Sequence, residues 1–338
     1  MKRIWVNGIM GIVVGDALGM PVQFANRAEL KLNPVKTMEG YGTYNMPPGT
    51  WSDDSSMALA TLDSLRENGE VNYSDIMERF VKWILDGAYT PAGMAFDQGN
   101  TCVDAIYNYM KKKDYKTCGK TGEWANGNGA LMRIMPVCLY AYEKVLHEEW
   151  DLEQALECVH QVSALTHNHL RSKMACGIYY FMVKNMIEGC GSLLERLQNG
   201  VDDAMDFYHK DIMNYVELTH YTRLIDLHEF AKSEEHTIKS SGYVVDSLEA
   251  AVWSLITTDT LEEGLLRAVN LGDDSDTVGA IAGGLAVLFY GYDSVPEEWR
   301  KQIIKEKEII DLCEIMEKRF ERRTSNPLLQ MRRALSRG

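Results

Sequence analysis

Proline, basic charge, paired cysteines and long apolar runs are all scarce in these 338 residues, and each scarcity closes off a class of answer. With eight prolines and no repeat, low-complexity tract or Pro/Gly/Ser-rich linker, nothing marks a domain boundary. The seven cysteines (102, 118, 138, 158, 176, 190 and 313) are odd in number and contain no CxxC pair. That spacing argues against both a zinc ribbon and a disulfide framework, and a reducing cytosol is the expected setting. Lys and Arg number 35 against 49 Asp and Glu, a formal net charge of −14. Nucleic acid and anionic membranes attract basic surfaces, so neither is an expected partner. The apolar stretch Val278 to Tyr290 falls short of the roughly 20 residues that span a bilayer. The opening Met1-Lys2-Arg3 and the apolar residues after it have the outline of an export signal. Asn7 interrupts that run, however, and Asp16 stands where a small-residue cleavage site belongs. The reading is a soluble, cytoplasmic protein, and we expect a monomer.

What is present is ordinary globular material, 46% hydrophobic and 25% charged, arranged with helical spacing nearly everywhere. Met57, Leu59, Ala60, Leu62 and Leu65 recur on one side, as do Ile76, Phe80, Trp83 and Ile84. Further helices are expected over 101–112, 130–145, 152–165, 168–189, 192–198, 244–257, 260–270, 275–290, 296–319 and 326–336. Alternation of period two is rare. The expected fold is all-α, a single compact multi-helix domain over residues 1–338, with 216–242 as a long connection or lid. Two helices carry glycine at three- and four-residue spacing: Gly8, Gly11, Gly15 and Gly19 in one, Gly279 and Gly283 in the other. Glycine costs a helix about 1 kcal/mol relative to alanine, so such stripes call for close approach of two backbones.

Two acidic clusters each lead directly into a helix: Ser52-Asp53-Asp54-Ser55-Ser56 and Asp273-Asp274-Ser275-Asp276-Thr277. Singly, each reads as an N-cap with acid in the first turn. Together they offer Ser52, Asp53, Asp54, Asp274, Asp276 and Thr277, an all-oxygen donor set without Cys or His. Such a set selects hard cations such as Mg²⁺ or Mn²⁺ over zinc. Carboxylates gathered so closely cannot all stay ionised without counter-charge, and two divalent ions about 3.5–4 Å apart would supply it. An EF-hand is excluded, because the twelfth loop position counted from Asp274 is Leu285 rather than Glu. Asp274-Ser275-Asp276-Thr277-Val278 also fits the DxDx[TV] pattern of dehalogenase-like phosphotransferases, a motif that belongs after a strand.

Four motifs in order now resemble a known family, the ADP-ribosylglycohydrolases related to dinitrogenase reductase-activating glycohydrolase. They are Gly15-Asp16-Ala17-Leu18-Gly19, Trp51-Ser52-Asp53-Asp54-Ser55, Gly127-Asn128-Gly129-Ala130-Leu131-Met132-Arg133, and Gly272 to Thr277, with Leu165-Thr166-His167 beside them. The resemblance implies an all-α domain of that type with a central binuclear metal cleft. It implies two divalent cations, Mg²⁺ or Mn²⁺, held by Ser52 (where the family usually has Thr), Asp53, Asp54, Asp274, Asp276 and Thr277. It implies ADP-ribose, or a protein or small molecule carrying it, as substrate, with water cleaving the bond at C1 of the distal ribose. Asp54, Asp274 and Gln23 form the expected catalytic set. Asp97, Gly99, Asn100, Gly127, Asn128, Gly129 and His167 are the expected substrate contacts. The Gly127-Asn128-Gly129 turn can bring backbone N–H groups close to a pyrophosphate. Asp16, a charge on an apolar helix, is expected to orient a ligand from behind, and Arg133 to pair with an internal carboxylate. Many members carry Glu seven residues after the first motif's Asp, where this chain has Gln23. An amide orients but moves no proton, so the general acid stays open between a metal-bound water, sufficient for a good leaving group, and a contribution from Glu29 or Asp97. A non-catalytic ADP-ribose-binding or structural protein on the same fold is the alternative.

Overall fold

The three- and four-residue apolar spacing is realised as helix almost throughout. The computed structural model describes residues 3–324, and among these there are sixteen α-helices and no β-strand. In chain order they are α1 (Ile4–Gly19), α2 (Arg27–Leu32), α3 (Asp53–Asn68), α4 (Tyr73–Asp86), α5 (Asn100–Lys112), α6 (Met135–Leu146), α7 (Leu152–Ala164) and α8 (Leu170–Glu188). There follow α9 (Leu193–Tyr208), α10 (Tyr215–Leu218), α11 (Leu227–Phe230), α12 (Val244–Ile256), α13 (Leu261–Asn270), α14 (Ser275–Tyr290), α15 (Glu297–Arg300) and α16 (Glu306–Thr324). One hydrophobic core draws on residues from Ile4 to Phe320.

Glycine decides how the centre is assembled. α1 and α14 are buried around nearly their whole circumference, which makes them core helices rather than amphipathic ones. A Cβ on Gly15 would lie 1.9 Å from the carbonyl oxygen of Gly279, and one on Gly11 would lie 2.3 Å from that of Gly283. The relation is reciprocal, with a Cβ on Gly283 2.1 Å from the Gly11 oxygen. No side chain fits between these backbones, so the two stripes exist for each other. Gly8 departs from that pattern: it faces the side chains of Met135 and Leu139 on α6 instead. The segment Ile4–Val22 has the length and hydropathy of a membrane span, but 94% of that window is buried inside the protein. Asn7, which breaks the apolar run, accepts a hydrogen bond from the Tyr292 N–H at 3.1 Å.

The first turn of α1 has no capping side chain of its own. Glu317 on α16 supplies one from the other end of the chain, accepting from the N–H groups of Trp5 (2.7 Å) and Val6 (3.4 Å). Glu317→Ala is therefore expected to cost about 1–2 kcal/mol, the usual worth of an N-cap. A chemical-denaturation midpoint unchanged by the substitution would show the contact to be idle.

Several expected boundaries move. The helix expected over 192–198 runs on to Tyr208 as α9, and the one expected from 130 starts at Met135 after a 3₁₀ turn over Leu131–Arg133. The helix expected over 296–319 is interrupted. Ile304 donates its N–H to the Gly49 carbonyl, its own carbonyl accepts from the Trp51 indole, and Lys305 turns left-handed (φ 59°). Those contacts to the approach of α3 outcompete two helical turns. The stretch expected over 326–336 lies outside the described residues. The polar segment 216–242 folds into short helical turns whose Leu218, Tyr221, Leu224, Leu227 and Phe230 enter the core, and its end, at Ser240 and Gly242, reaches the site.

Candidate active site and metal centre

The close pairing of α1 and α14 brings the C-terminal end of α1 beside the N-terminal end of α14, and the start of α3 meets them there. Asp16, in the last turn of α1, fixes that junction. Its carboxylate accepts the Ser52 N–H at 2.9 and 3.0 Å, the Ser55 N–H at 3.0 Å and the Ser55 hydroxyl at 2.6 Å. These are the orphan donors of the first turn of α3, so the cap of that helix comes from another helix. Ser52, the residue at the cap position, makes no capping bond, and neither does Asp274 at the start of α14. The capping explanation of the acidic clusters therefore fails at both ends, and their oxygens are left for something else.

Those oxygens gather in one place. Asp16, Asp54 and Asp276 each present a carboxylate oxygen within 4.8 Å of the others. The Oδ2 atom of Asp54 accepts from the Ser52 hydroxyl (3.1 Å) and the Thr277 hydroxyl (3.4 Å), and the Thr277 N–H donates to Asp276 Oδ1 (2.9 Å). Asp54 Oδ1 and Asp276 Oδ2 are buried with no hydrogen-bond partner. Among the described residues, no Lys, Arg or His forms an ion pair with Asp16, Asp53, Asp54, Asp274 or Asp276. Burial first, and then the neighbouring carboxylates, push Asp53, Asp54 and Asp276 well above the usual carboxylate range. Burial likewise pushes Asp16 up to about 6, against the bonds from Ser55 and Ser52 that pull it down. Buried, unpaired acceptor oxygens of this kind are costly, and an all-oxygen pocket of several carboxylates suits one or two hard divalent cations.

The sign of the pH dependence follows. These folded-state pKa values lie above the unfolded value, so the folded form binds the extra protons and is stabilised at low pH. That stability is lost as pH rises from about 4 through 6 and beyond. In EDTA, the protein is expected to melt at least about 5 °C higher at pH 5 than at pH 8. Millimolar Mg²⁺ or Mn²⁺ should restore the loss at pH 8 and do little at pH 5. A melting curve indifferent to both pH and cation would sink the metal assignment.

Above the buried acids opens a cavity of about 300 Å³. Its wall includes Gln23, Asp53, Asp97, Gly99, Asn100, Gly127, Asn128, Gly129, His167, Asp274 and Thr277, so every residue expected to contact substrate meets here. Ser52, Asp54 and Asp276 lie behind that wall, each 1% exposed or less. Asp274 is held from two sides, Gln23 Nε2 donating to Oδ1 (3.3 Å) and Asn128 Nδ2 to Oδ2 (2.5 Å). Asp97 sits at a left-handed φ of 53° and accepts from the Tyr44 hydroxyl at 2.6 Å. Gly129 allows the turn to press against His167 and Cys102, since a Cβ there would lie 2.9 Å from either side chain. Burial, reinforced by Arg133, lowers His167 to about 3, so it is a neutral ring, its Nδ1 2.8 Å from the Thr166 hydroxyl.

Three expectations change in detail. Arg133 meets no carboxylate; it donates to the Gly129 carbonyl (3.1 Å) and the Thr166 hydroxyl (2.8 Å) and lies over the Phe80 ring. It thereby ties the 127–133 turn to the Thr166-His167 turn. Glu29 is committed to a capping box with Asn26 and does not line the cavity. The Asn128 N–H donates to the Gly242 carbonyl at 3.0 Å and so does not face an anion. The dehalogenase pattern is also overturned, since α13, not a strand, precedes Asp274. Sequence reasoning missed Phe24 and Asp273. Both take left-handed backbones (φ 66° and 59°), are joined by the Phe24 N–H to Asp273 carbonyl bond (2.7 Å), and line the cavity. A bulky aromatic in that region is a rare conformation, and no spacing rule announces it.

Comparison with known proteins agrees with this geometry. The family described as ADP-ribosylglycohydrolase matches residues 5–326. The ADP-ribosyl-[dinitrogen reductase] glycohydrolase of Rhodospirillum rubrum is 32% identical over 88% of this chain and 89% of its own length. ADP-ribosylarginine hydrolase Tri1 of Serratia proteamaculans is 30% identical over 90% of this chain and 76% of its own. Among solved structures, an ADP-ribosylglycohydrolase-related protein complex superimposes with a TM-score of 0.74 at 28% identity, covering 93% of this chain and 97% of that one. With the four motifs assembled around one cleft and the match running nearly end to end, the chain belongs to the ADP-ribosylglycohydrolase family and is an enzyme of that class.

Proposed function

We propose that this enzyme is a divalent-cation-dependent hydrolase that cleaves the bond between C1 of the distal ribose of ADP-ribose and an acceptor, a protein side chain or a small conjugate. We place it in the cytoplasm as a monomer, acting without nucleic acid or membrane. The observation that carries the reading is the pair of buried, partnerless oxygens, Asp54 Oδ1 and Asp276 Oδ2, in a cluster with which no basic side chain among the described residues forms an ion pair. Ser52, Asp53, Asp54, Asp274, Asp276 and Thr277 would hold the cations, Mg²⁺ or Mn²⁺. Bound there, the cations would supply Lewis acidity and orient sugar hydroxyls and water.

The chain's own residues do the rest. Asp16 keeps the start of α3 in register, which fixes where Asp53 and Asp54 stand. Asn128 and Gln23 hold the Asp274 carboxylate in a fixed orientation beside the cavity. Asp97 places a carboxyl group at its wall, where a ribosyl cation of oxocarbenium character would be stabilised. His167, neutral across the physiological range, offers ring hydrogen bonding without charge. Gly99, Asn100, Gly127 and Gly129 present small surfaces against which a nucleotide can lie close. The test is release of ADP-ribose, resolved by chromatography, from arginine- and serine-linked conjugates with Mg²⁺, with Mn²⁺ and in EDTA. Tight ADP-ribose binding with no release from either conjugate would replace this reading with that of a binding protein.

A further inference from the structure

We infer that Arg133 is a positioning residue that acts through Thr166 on His167, holding the proton of that ring on Nε2 so that the cavity meets a fixed hydrogen-bond donor. What the donor binds rests on the hydrolase reading above; the relay itself rests on geometry. Arg133 is fully buried, its Nη1 has no partner, and it forms no ion pair among the described residues. A guanidinium buried without a carboxylate is costly, and a neutral side chain could tie the same two turns together. An amide could flip, however, and a hydroxyl could rotate, whereas a guanidinium can only donate. Arg133 Nη2 donates to the Thr166 hydroxyl oxygen at 2.8 Å, and that oxygen lies 2.8 Å from His167 Nδ1.

The direction of the chain follows from what each group can give. With one lone pair of the Thr166 oxygen taken by Arg133, its hydrogen has two acceptors in reach, His167 Nδ1 and the Cys102 sulfur. Sulfur is the weak acceptor of the two, and the Cys102 thiol directs its own hydrogen at the Gly129 carbonyl (3.9 Å). The hydroxyl therefore donates to Nδ1. In a neutral imidazole the bond made by one nitrogen decides which carries the proton, so the proton stands on Nε2. Burial and the Arg133 charge keep the ring neutral, and no second proton blurs the choice. Nε2 has no hydrogen-bond partner among the described residues. It lies beside two glycines that leave it uncovered, since a Cβ on Gly127 would stand 3.4 Å from it and one on Gly129 3.5 Å. A donor so placed takes an acceptor oxygen and repels a second donor, and ADP-ribose is rich in acceptor oxygens. Arg133 and Thr166, neither of which lines the cavity, thereby become part of its recognition.

The test uses the full chain in millimolar Mg²⁺ with its histidines labelled with ¹⁵N, and His167→Gln identifies the ring among the eight. Nitrogen NMR at pH 8 is expected to show a single tautomer, with Nε2 protonated and Nδ1 bare. Thr166→Asp keeps the volume and presents only acceptors, to Arg133 and to Nδ1 alike. The proton should then move to Nδ1, and ADP-ribose affinity measured by calorimetry should fall at least about tenfold. The melting temperature should hold or rise, because Arg133 gains a carboxylate; binding lost through a loosened fold would come with a lower one. Thr166→Ser retains the hydroxyl, so it should match the wild type in tautomer and, within about twofold, in affinity. Should Thr166→Asp fail to fold, Thr166→Val takes its place, and with no hydroxyl beside Nδ1 the ring should populate both tautomers. A wild-type proton on Nδ1, or a wild-type mixture, would overturn the inference. So would a proton that stays on Nε2 in Thr166→Asp, or on Nε2 alone in Thr166→Val. A wild type with Nε2 protonated that binds no ADP-ribose would instead strike the ligand reading and leave the relay in place.

Discussion

Asp276→Asn is expected to make the metal-free protein more heat-stable at pH 8 while lowering ADP-ribose release by about a thousandfold or more. Asp276 is fully buried, with Oδ1 satisfied by the Thr277 N–H and Oδ2 by nothing. Burial and the charges of Asp54, Asp97 and Asp274 all act to protonate it. Asparagine keeps the volume and the Oδ1 acceptor, removes one unit of negative charge, and brings an N–H₂ able to reach the Asp54 carboxylate. Relieving like-charge crowding of this kind stabilises by about 1–3 kcal/mol. The same change removes a cation ligand, so the cation-induced rise in melting temperature should shrink or vanish. The two signs together discriminate. A carboxylate kept for structure would destabilise on replacement and leave the cation response intact, and that pair of results would refute its role as a ligand.

Gly15→Val is expected to abolish folding, with the protein recovered as aggregate. Gly15→Ala should already cost more than about 3 kcal/mol, beyond the usual range for an overpacked core. The added Cβ would lie 1.9 Å from the Gly279 carbonyl oxygen and 2.3 Å from its carbon, both backbone atoms of a core helix that cannot rotate aside. Gly122→Ala provides the contrast. Nothing lies within 4 Å of a Cβ at that position, so its effect should stay within about 0.5 kcal/mol. Denaturant unfolding of the two alanine variants makes the comparison. Similar midpoints would mean that the central helix pair tolerates separation, and the close-packing account would fall.

Where the chemistry is local, the sequence announced the result. Helical period located almost every long helix because a buried stripe needs no knowledge of its partner. The paired acidic clusters stood out because carboxylates beside hydroxyls at two helix starts are excessive for capping alone. Other features were invisible because they depend on partners far along the chain. Asp16 could be recognised as a charge in an unsuitable place, but its partners, Ser52 and Ser55, lie 36 and 39 residues away. Asn128 read as part of a turn, and its bond to Asp274 spans 146 residues. The interruption of the helix expected over 296–319 depends on Gly49 and Trp51, which no window around residue 304 contains. The left-handed backbones of Phe24 and Asp273 meet through a hydrogen bond that joins residues 249 positions apart.

The pairing of α1 with α14 also has a consequence for how the chain is made. α1 is complete at residue 19, yet the last residue of its partner is Tyr290. At ordinary ribosomal rates of about 5–20 residues per second, α1 must wait roughly 15–55 s for the surface that covers its glycine face. Throughout that interval it is a 19-residue apolar segment, Ile4–Val22, left uncovered in the growing polypeptide. Cellular factors that survey nascent chains for export signals and sticky segments see the same features. Production of this enzyme is therefore expected to depend on chaperone supply more than its finished, acidic surface suggests, and slowing translation late in the message should lower soluble yield more than slowing it early.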